Sequence, residues 1–107
     1  MFTHEKKVLT RITKQIKKRI PGMIISIYAF GSRVRGDHSG WSDFDILVIV
    51  KHKTPELESL IISIFVDEES KSGLSFTPLI KDIKVFEMEK NFNTPFYENI
   101  LKEGILL

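Results

Sequence analysis

This chain of 107 residues contains no cysteine. Without thiols it has neither a disulfide framework nor a zinc site with thiolate ligands, which excludes the small disulfide-stapled and zinc-finger classes. No apolar run approaches the roughly 20 residues that a membrane-spanning helix needs. Residues 1–20 carry charge throughout, so they do not resemble a signal peptide. These absences together predict a cytoplasmic protein with no membrane contact.

A strong charge of one sign is also missing. The net charge of +2 is too small to argue by itself for binding to nucleic acid, so nucleic acid remains a partner that is not favoured. The hydrophobic content of 42% and charged content of 28% are ordinary for a soluble globular protein. A chain of this length can build one core, and no repeat divides it. We therefore expect a single domain over residues 1–107.

The most informative stretch is residues 24–50, where two apolar, β-prone runs flank a polar loop. The second run opens with Asp43 and Asp45, and alternation along a strand points both side chains to the same side. Two carboxylates held close together need a cation between them, or one must take up a proton. Mg²⁺ usually binds through one or two carboxylates plus substrate phosphates. We predict that Asp43 and Asp45 are metal ligands and catalytic residues.

The first run ends at Gly31-Ser32, where a strand gives way to a turn or a helix start. Glycine lets the backbone approach a ligand closely, and a helix start offers free N–H groups to anions. Arg33 and Arg35 could add charge to the same phosphates. We predict that Gly31, Ser32 and Arg33 bind a nucleoside triphosphate. In the alternative interpretation, Gly31-Ser32 is an ordinary turn and the two aspartates are solvated residues at the start of a strand.

The pattern of Gly31-Ser32, ten intervening residues and Asp43-x-Asp45 resembles the signature of the DNA polymerase β-like nucleotidyltransferases. Further residues make it similar to the minimal nucleotidyltransferase (MNT) branch of that superfamily. These residues are Phe30, Arg33, Arg35, Gly36 and Ser42. The resemblance is close over residues 24–50. It is weaker beyond, where residues 73–79 and 98–107 look like the late strand and C-terminal helix of the branch.

This resemblance implies an α/β (α+β) nucleotidyltransferase fold, with a small mixed sheet of about three to four strands covered by helices. It also implies Mg²⁺-dependent transfer of AMP from ATP to a hydroxyl. MNT-like proteins often pair with a HEPN-type helical protein, as the antitoxin that AMPylates a tyrosine of the toxin in a toxin–antitoxin system. The acceptor expected here is therefore a hydroxyl on a HEPN-type partner protein.

One element of the superfamily pattern differs in this chain. The wider superfamily has a third carboxylate on a later strand, whereas the corresponding strand here offers the uncharged Ser75 and Thr77. The nearby acids are not well placed to substitute for it: Asp67, Glu68, Glu69 and Asp82. In a two-metal mechanism the third acid helps to hold the ion that activates the attacking hydroxyl. A second interpretation follows, in which the chain is a catalytically weak module that neutralises a partner by contact.

Apolar periodicity and turn residues predict the remaining elements. Helices are expected over residues 4–20, 54–72 and 82–90 and after the cap residue Thr94, with a short helical turn over 32–36. Strands are expected over residues 23–30, 43–51 and 74–80. The second strand is apolar on both faces past its Asp pair, which predicts a central position. Pro78 predicts that the third strand is an edge strand or is broken there.

For several surfaces the sequence leaves two interpretations open. The first helix has a basic face, which is either solvated or meets RNA, phosphates or an acidic protein. Its basic residues are Lys6, Lys7, Arg11, Lys14, Lys17, Lys18 and Arg19. In the loop over residues 37–41, His38 either contacts substrate or is simply exposed, and Trp41 either stacks on a base or packs the loop. The apolar tail 105–107 docks either on its own core or on a partner.

Overall fold

Four strands form one mixed sheet in the computed structural model, which describes residues 3–35 and 43–107 without the side chains of Ser32 and Arg35. The strands in chain order are β1 (Ile24–Phe30), β2 (Phe44–Val50), β3 (Phe76–Asp82) and β4 (Ile105–Leu106). They are arranged in the order β3-β2-β1-β4. β2 runs antiparallel to β1 and parallel to β3, and β4 runs antiparallel to β1. The predicted small mixed sheet is confirmed.

The positions of β2 and β3 follow from their sequences. Ile46–Val50 is at most 1% exposed along its whole length, as expected for a strand that is covered on both faces and bordered on both edges. The predicted central position of β2 is therefore confirmed. Among the described residues β3 pairs only with β2, and it carries Pro78, which cannot donate a backbone hydrogen bond. Its predicted place at the edge is confirmed as well.

The helices cover the two faces of the sheet. Helices α1 (Thr3–Arg19) and α3 (Pro55–Ser72) pack on the face that Ile46 and Val48 share, where the larger core cluster lies. The other face carries Leu47 and Ile49, which pack with residues of α4 (Ile83–Phe92) and α5 (Pro95–Glu103). The four-residue α2 (Ser32–Arg35) follows β1 directly. Within the described residues no helix is both long and apolar enough to cross a membrane.

Capping residues fix several helix ends where the sequence predicts them. Thr54 accepts a 3.1 Å hydrogen bond from the backbone N–H of Leu57 and precedes Pro55 at the start of α3. Gly73 ends the same helix with a left-handed φ of 76°. Thr94 caps α5 in the same way through the N–H of Tyr97. These predicted ends are confirmed.

Several element boundaries differ from the prediction, most clearly those of β3. β3 begins at Phe76 instead of residue 74 and runs to Asp82 instead of residue 80, because its register with β2 continues to the pair Val50 and Asp82. Asp82 is consequently the cap before α4 and not its first residue. The C-terminal tail becomes β4, whose backbone pairs with β1 at Tyr28 and Ala29. Of its two interpretations, docking on the chain's own sheet is the one that the structure shows.

Candidate active site

The end of β1 and the start of β2 bring Gly31 and Asp45 together. Phe30 and Asp45 are paired across the two strands, so Gly31 begins its turn directly beside the Asp45 side chain. Gly31 has a φ of 88°, which an L side chain rarely adopts. A Cβ added at this position would lie 3.1 Å from Asp45 Cγ and closer still to Asp45 Oδ2. Glycine therefore lets the turn backbone approach the carboxylate, and the predicted proximity of turn and strand is present.

Asp43 lies one residue before β2 and is exposed, whereas Asp45 is half-buried within the strand. The parallel register of β2 and β3 places Thr77 opposite Asp45. Thr77 Oγ1 also donates a 3.0 Å hydrogen bond to Asp43 Oδ2. Where β2 and β3 begin, the sheet therefore presents two carboxylates and one hydroxyl close to one another. Of the two uncharged residues that stand in the place of a third acid, Thr77 is the one that contacts the pair.

Three acids in the second half of α3 are engaged elsewhere. Each makes a contact away from the Asp43 and Asp45 pair: Asp67 with Lys71, Glu68 with Arg11, and Glu69 with the backbone N–H of Phe76. Across residues 3–35 and 43–107, no group of three or more His, Cys, Asp or Glu residues is arranged to hold a metal ion. Within these ranges, Asp43 and Asp45 are therefore not joined by a third such residue.

Asp82 serves as a helix cap. Its carboxylate accepts hydrogen bonds from the backbone N–H groups of Lys84 at 2.8 Å and Lys53 at 3.2 Å. These two donors, with the Lys84 group as the stronger influence, hold the pKa of Asp82 below its usual range. The residue stabilises the start of α4 at the far end of β3 from Thr77.

The Arg33 side chain is buried, and its contacts lead into the core. Its Nη2 lies 2.7 Å from Glu5 Oε1, and both side chains are less than 10% exposed. Its guanidinium carbon lies 4.5 Å from the centre of the Phe44 ring. These contacts give Arg33 a structural role, and its predicted contact with phosphate stays a prediction. Sequence reasoning missed Glu5, although one acid among seven basic residues on α1 was a signal available in the pattern.

The predicted phosphate contact of the Ser32 side chain stays a prediction, because that side chain lies outside the described residues. The same holds for Arg35, for His38 and for Trp41, whose interpretations concern undescribed parts of the chain. What the structure does bring together is chemically specific. Carboxylate oxygens of the kind that bind hard divalent cations adjoin a turn that begins with a glycine of positive φ.

Comparison with known proteins bears on the family and the fold of the chain. A family model described as "Nucleotidyltransferase domain" matches residues 9–107. A protein of Methanocaldococcus jannaschii named "Putative protein adenylyltransferase" is 28% identical over 104 residues, which cover 97% of this chain and 98% of that protein. A crystal structure of "a putative nucleotidyltransferase" from Sulfolobus solfataricus is similar with a TM-score of 0.50 and 24% identity, over 94% of this chain and 76% of that one. The structural likeness confirms the predicted fold class.

Proposed function

Because this chain belongs to the family of nucleotidyltransferase domains, we propose that it transfers AMP from ATP to a hydroxyl group on a partner protein in a Mg²⁺-dependent reaction. The observation that carries the proposal is the close approach of Gly31 to the Asp45 carboxylate. A triphosphate held by the turn would lie next to the acids that bind its metal. A turn that served only to reverse the chain would not need to meet a carboxylate so closely.

The donor set suits Mg²⁺. The ion usually takes one or two carboxylates and completes its shell with water and substrate phosphates, and Asp43 and Asp45 are two acids at the start of β2. When bound, it neutralises negative charge on the phosphate oxygens. The Thr77 hydroxyl orients Asp43 through their hydrogen bond. The remaining ligands would come from the phosphates, which ties metal binding to nucleotide binding.

The reaction proceeds without a covalent intermediate on the protein. The oxygen of the acceptor hydroxyl attacks the α-phosphorus of ATP in line, and a new P–O bond forms. The bond to the bridging oxygen between the α- and β-phosphorus breaks, and pyrophosphate leaves. The hydroxyl proton passes to water or to a carboxylate of the site. The chain's own contribution is to position the triphosphate through the turn at Gly31 and Ser32, because catalysis of phosphoryl transfer depends mainly on positioning and charge stabilisation.

Two observations favour a protein hydroxyl as the acceptor. The M. jannaschii relative carries the name "Putative protein adenylyltransferase" and matches this chain over nearly its full length. The resemblance of residues 24–50 to the MNT branch further implies a HEPN-type helical partner and an antitoxin role. We accordingly propose that the acceptor is a tyrosine or another hydroxyl on such a partner.

The test is transfer of label to a co-purified partner. The protein is incubated with Mg²⁺ and ATP labelled at the α-phosphate, and in parallel with ATP labelled at the γ-phosphate. We expect the partner to gain the α-label and the mass of one AMP, to gain no γ-label, and to gain neither when Asp43→Asn replaces the wild type. Label that appears on free RNA or on a small molecule, with none on protein, would refute the proposed acceptor.

A second candidate function follows from Thr77. A neutral residue stands beside Asp43 and Asp45 where the wider superfamily has a third acid. This substitution favours a module with weak catalysis that neutralises a partner by contact alone. In the same experiment, stable association with no mass gain on the partner identifies this function.

A further inference from the structure

Glu5 is a buried acid at the start of an otherwise basic helix. It is 6% exposed, although it lies in the first turn of α1, whose basic side chains are exposed. A buried carboxylate is strongly unfavourable unless it is paired and hydrogen-bonded. Arg33 supplies the pairing at 2.7 Å, from a position two residues after Gly31. The ion pair therefore connects α1 to the turn of the candidate active site.

Arg33 in turn rests on the start of β2. Its guanidinium lies over the ring of Phe44, which stands between Asp43 and Asp45 and is fully buried. Phe44 stacks on Phe76 with ring centres 5.9 Å apart. Because neighbouring residues on a strand point to opposite faces, this inner stack lies directly behind the residues that form the site. The placement of Arg33 and the placement of the two aspartates are thus mechanically linked.

The helix that follows the turn is too short to hold itself in place. α2 contains four residues and packs on β1 and β2, and a helix of this length has no stability of its own. Val34 adds one partly buried side chain to the core. At the same time the approach of Gly31 to Asp45 leaves no room for even a methyl group. A small shift of α2 would therefore move the turn relative to the Asp45 carboxylate, beside which the triphosphate is proposed to bind.

We propose that the buried Glu5–Arg33 pair is a positioning device, which sets the Gly31-Ser32 turn against Asp45 for nucleotide binding. The proposal rests on the proposed function for its substrate. In this proposal Arg33 acts on nucleotide binding indirectly, by fixing the position of the turn. Helix α1 contributes to the site because it carries Glu5, the ion-pair partner of Arg33. Neither Glu5 nor Arg33 is a catalytic residue in this assignment.

The test removes the pair while keeping the fold. Apolar replacement of both members of a buried ion pair is often neutral or stabilising, so Glu5→Leu/Arg33→Met is the main variant. The matched control is Arg11→Met/Glu68→Leu, which removes another ion pair of α1 that contacts α3 and lies outside the site. Measurements are the melting temperature, ATP affinity in the presence of Mg²⁺, kcat and KM, and amide hydrogen exchange at residues 31–35.

We expect the main variant to stay folded. Its kcat/KM should fall about ten- to hundredfold, because misplacing a positioning group costs rate on this scale, and its amides at residues 31–35 should exchange faster than those of the control. A folded main variant with control-like ATP affinity, turnover and exchange overturns the proposal. If that variant does not fold, Glu5→Gln takes its place, because it removes the negative charge of the pair while keeping the shape of the side chain. Control-like ATP affinity, turnover and exchange in Glu5→Gln overturn the proposal in the same way. If the wild type neither binds ATP nor transfers AMP, the proposed function fails. The positioning role is judged separately in that case: amide exchange at residues 31–35 of the main variant that is no faster than in the control overturns it.

Discussion

Replacing Gly31 with alanine tests the closest contact in the candidate active site. The change adds a single methyl group, but it adds it at a φ of 88° and within the van der Waals surface of the Asp45 carboxylate. The turn and the carboxylate cannot both keep their positions. Since Asp45 Oδ2 is the far end of a side chain, we expect the carboxylate to rotate away while the backbone stays.

The loss of stability can be separated into two parts with matched controls. Gly22 and Gly73 also have positive φ values, of 78° and 76°, but a Cβ at either would meet nothing within 4 Å. Their alanine variants therefore measure the backbone cost alone, about 1–2 kcal/mol of destabilisation. The displaced Asp45 side chain should add about 0.5–1.5 kcal/mol at Gly31, the range for a side chain forced off its rotamer. The effect on function should be larger, because about 1 Å of misplacement can cost about a hundredfold in rate.

The assay combines urea unfolding with transfer of AMP from ATP. We expect Gly31→Ala to be somewhat less stable than Gly22→Ala and Gly73→Ala, and to lose most of its ATP affinity and turnover while the two controls retain theirs. If Gly31→Ala matched the controls in both stability and function, the turn would be only structural, and the proposed phosphate site would have to lie elsewhere.

Three further predictions concern the acids and their neighbour. Asp43→Asn and Asp45→Asn should each abolish Mg²⁺-dependent ATP binding in calorimetry, and unchanged binding in both would exclude them as metal ligands. Thr77→Asp should lower the melting temperature of the metal-free protein, because it adds a like charge beside Asp43 and Asp45. Adding Mg²⁺ should then raise the melting temperature of Thr77→Asp more than that of the control Thr77→Asn, and equal rises in the two variants would contradict a metal site beside Thr77. Because two backbone N–H groups lower the folded-state pKa of Asp82, its contribution to stability is complete above its unfolded pKa of about 3.9 and is lost as pH falls through the lower folded value. Asp82→Asn should therefore lose less stability than wild type on acidification, and parallel unfolding curves would refute this.

The parts of the fold that the sequence predicts are those in which local physics decides the outcome. Thr54 and Gly73 define the ends of α3 because a cap satisfies the backbone of its own turn, whatever packs around it. The apolar run Ile46–Val50 predicts its central position because no exposed strand could carry it. Pro78 predicts an edge for an equally local reason, the missing N–H.

The contacts that the sequence does not predict are those between residues that lie far apart in the chain. Arg33 follows Gly31-Ser32, and this position predicts a contact with phosphate, yet the structure pairs it with Glu5, 28 residues away on another element. No periodicity within α1 or α2 encodes that contact. The choice of Thr77 over Ser75 depends on the parallel register of β2 and β3, which is set by how α3 connects the two strands and packs on the sheet. Such contacts become visible only once the elements are assembled.

Alternation along the strands links the stability of the core to the geometry of the site. Phe44 separates Asp43 from Asp45, and Phe76 precedes Thr77, while the two rings stack in the core. Each of these three polar side chains is therefore one residue from a buried aromatic anchor. A site built in this way needs no disulfide or further helix to hold its carboxylates, since moving them would also break the packing of the inner layer. Gly31 has an aromatic residue before it, Phe30, whose ring packs edge-on against Phe96, but none after it in α2. On that side the proposed anchor of the turn is the buried ion pair of Arg33 with Glu5.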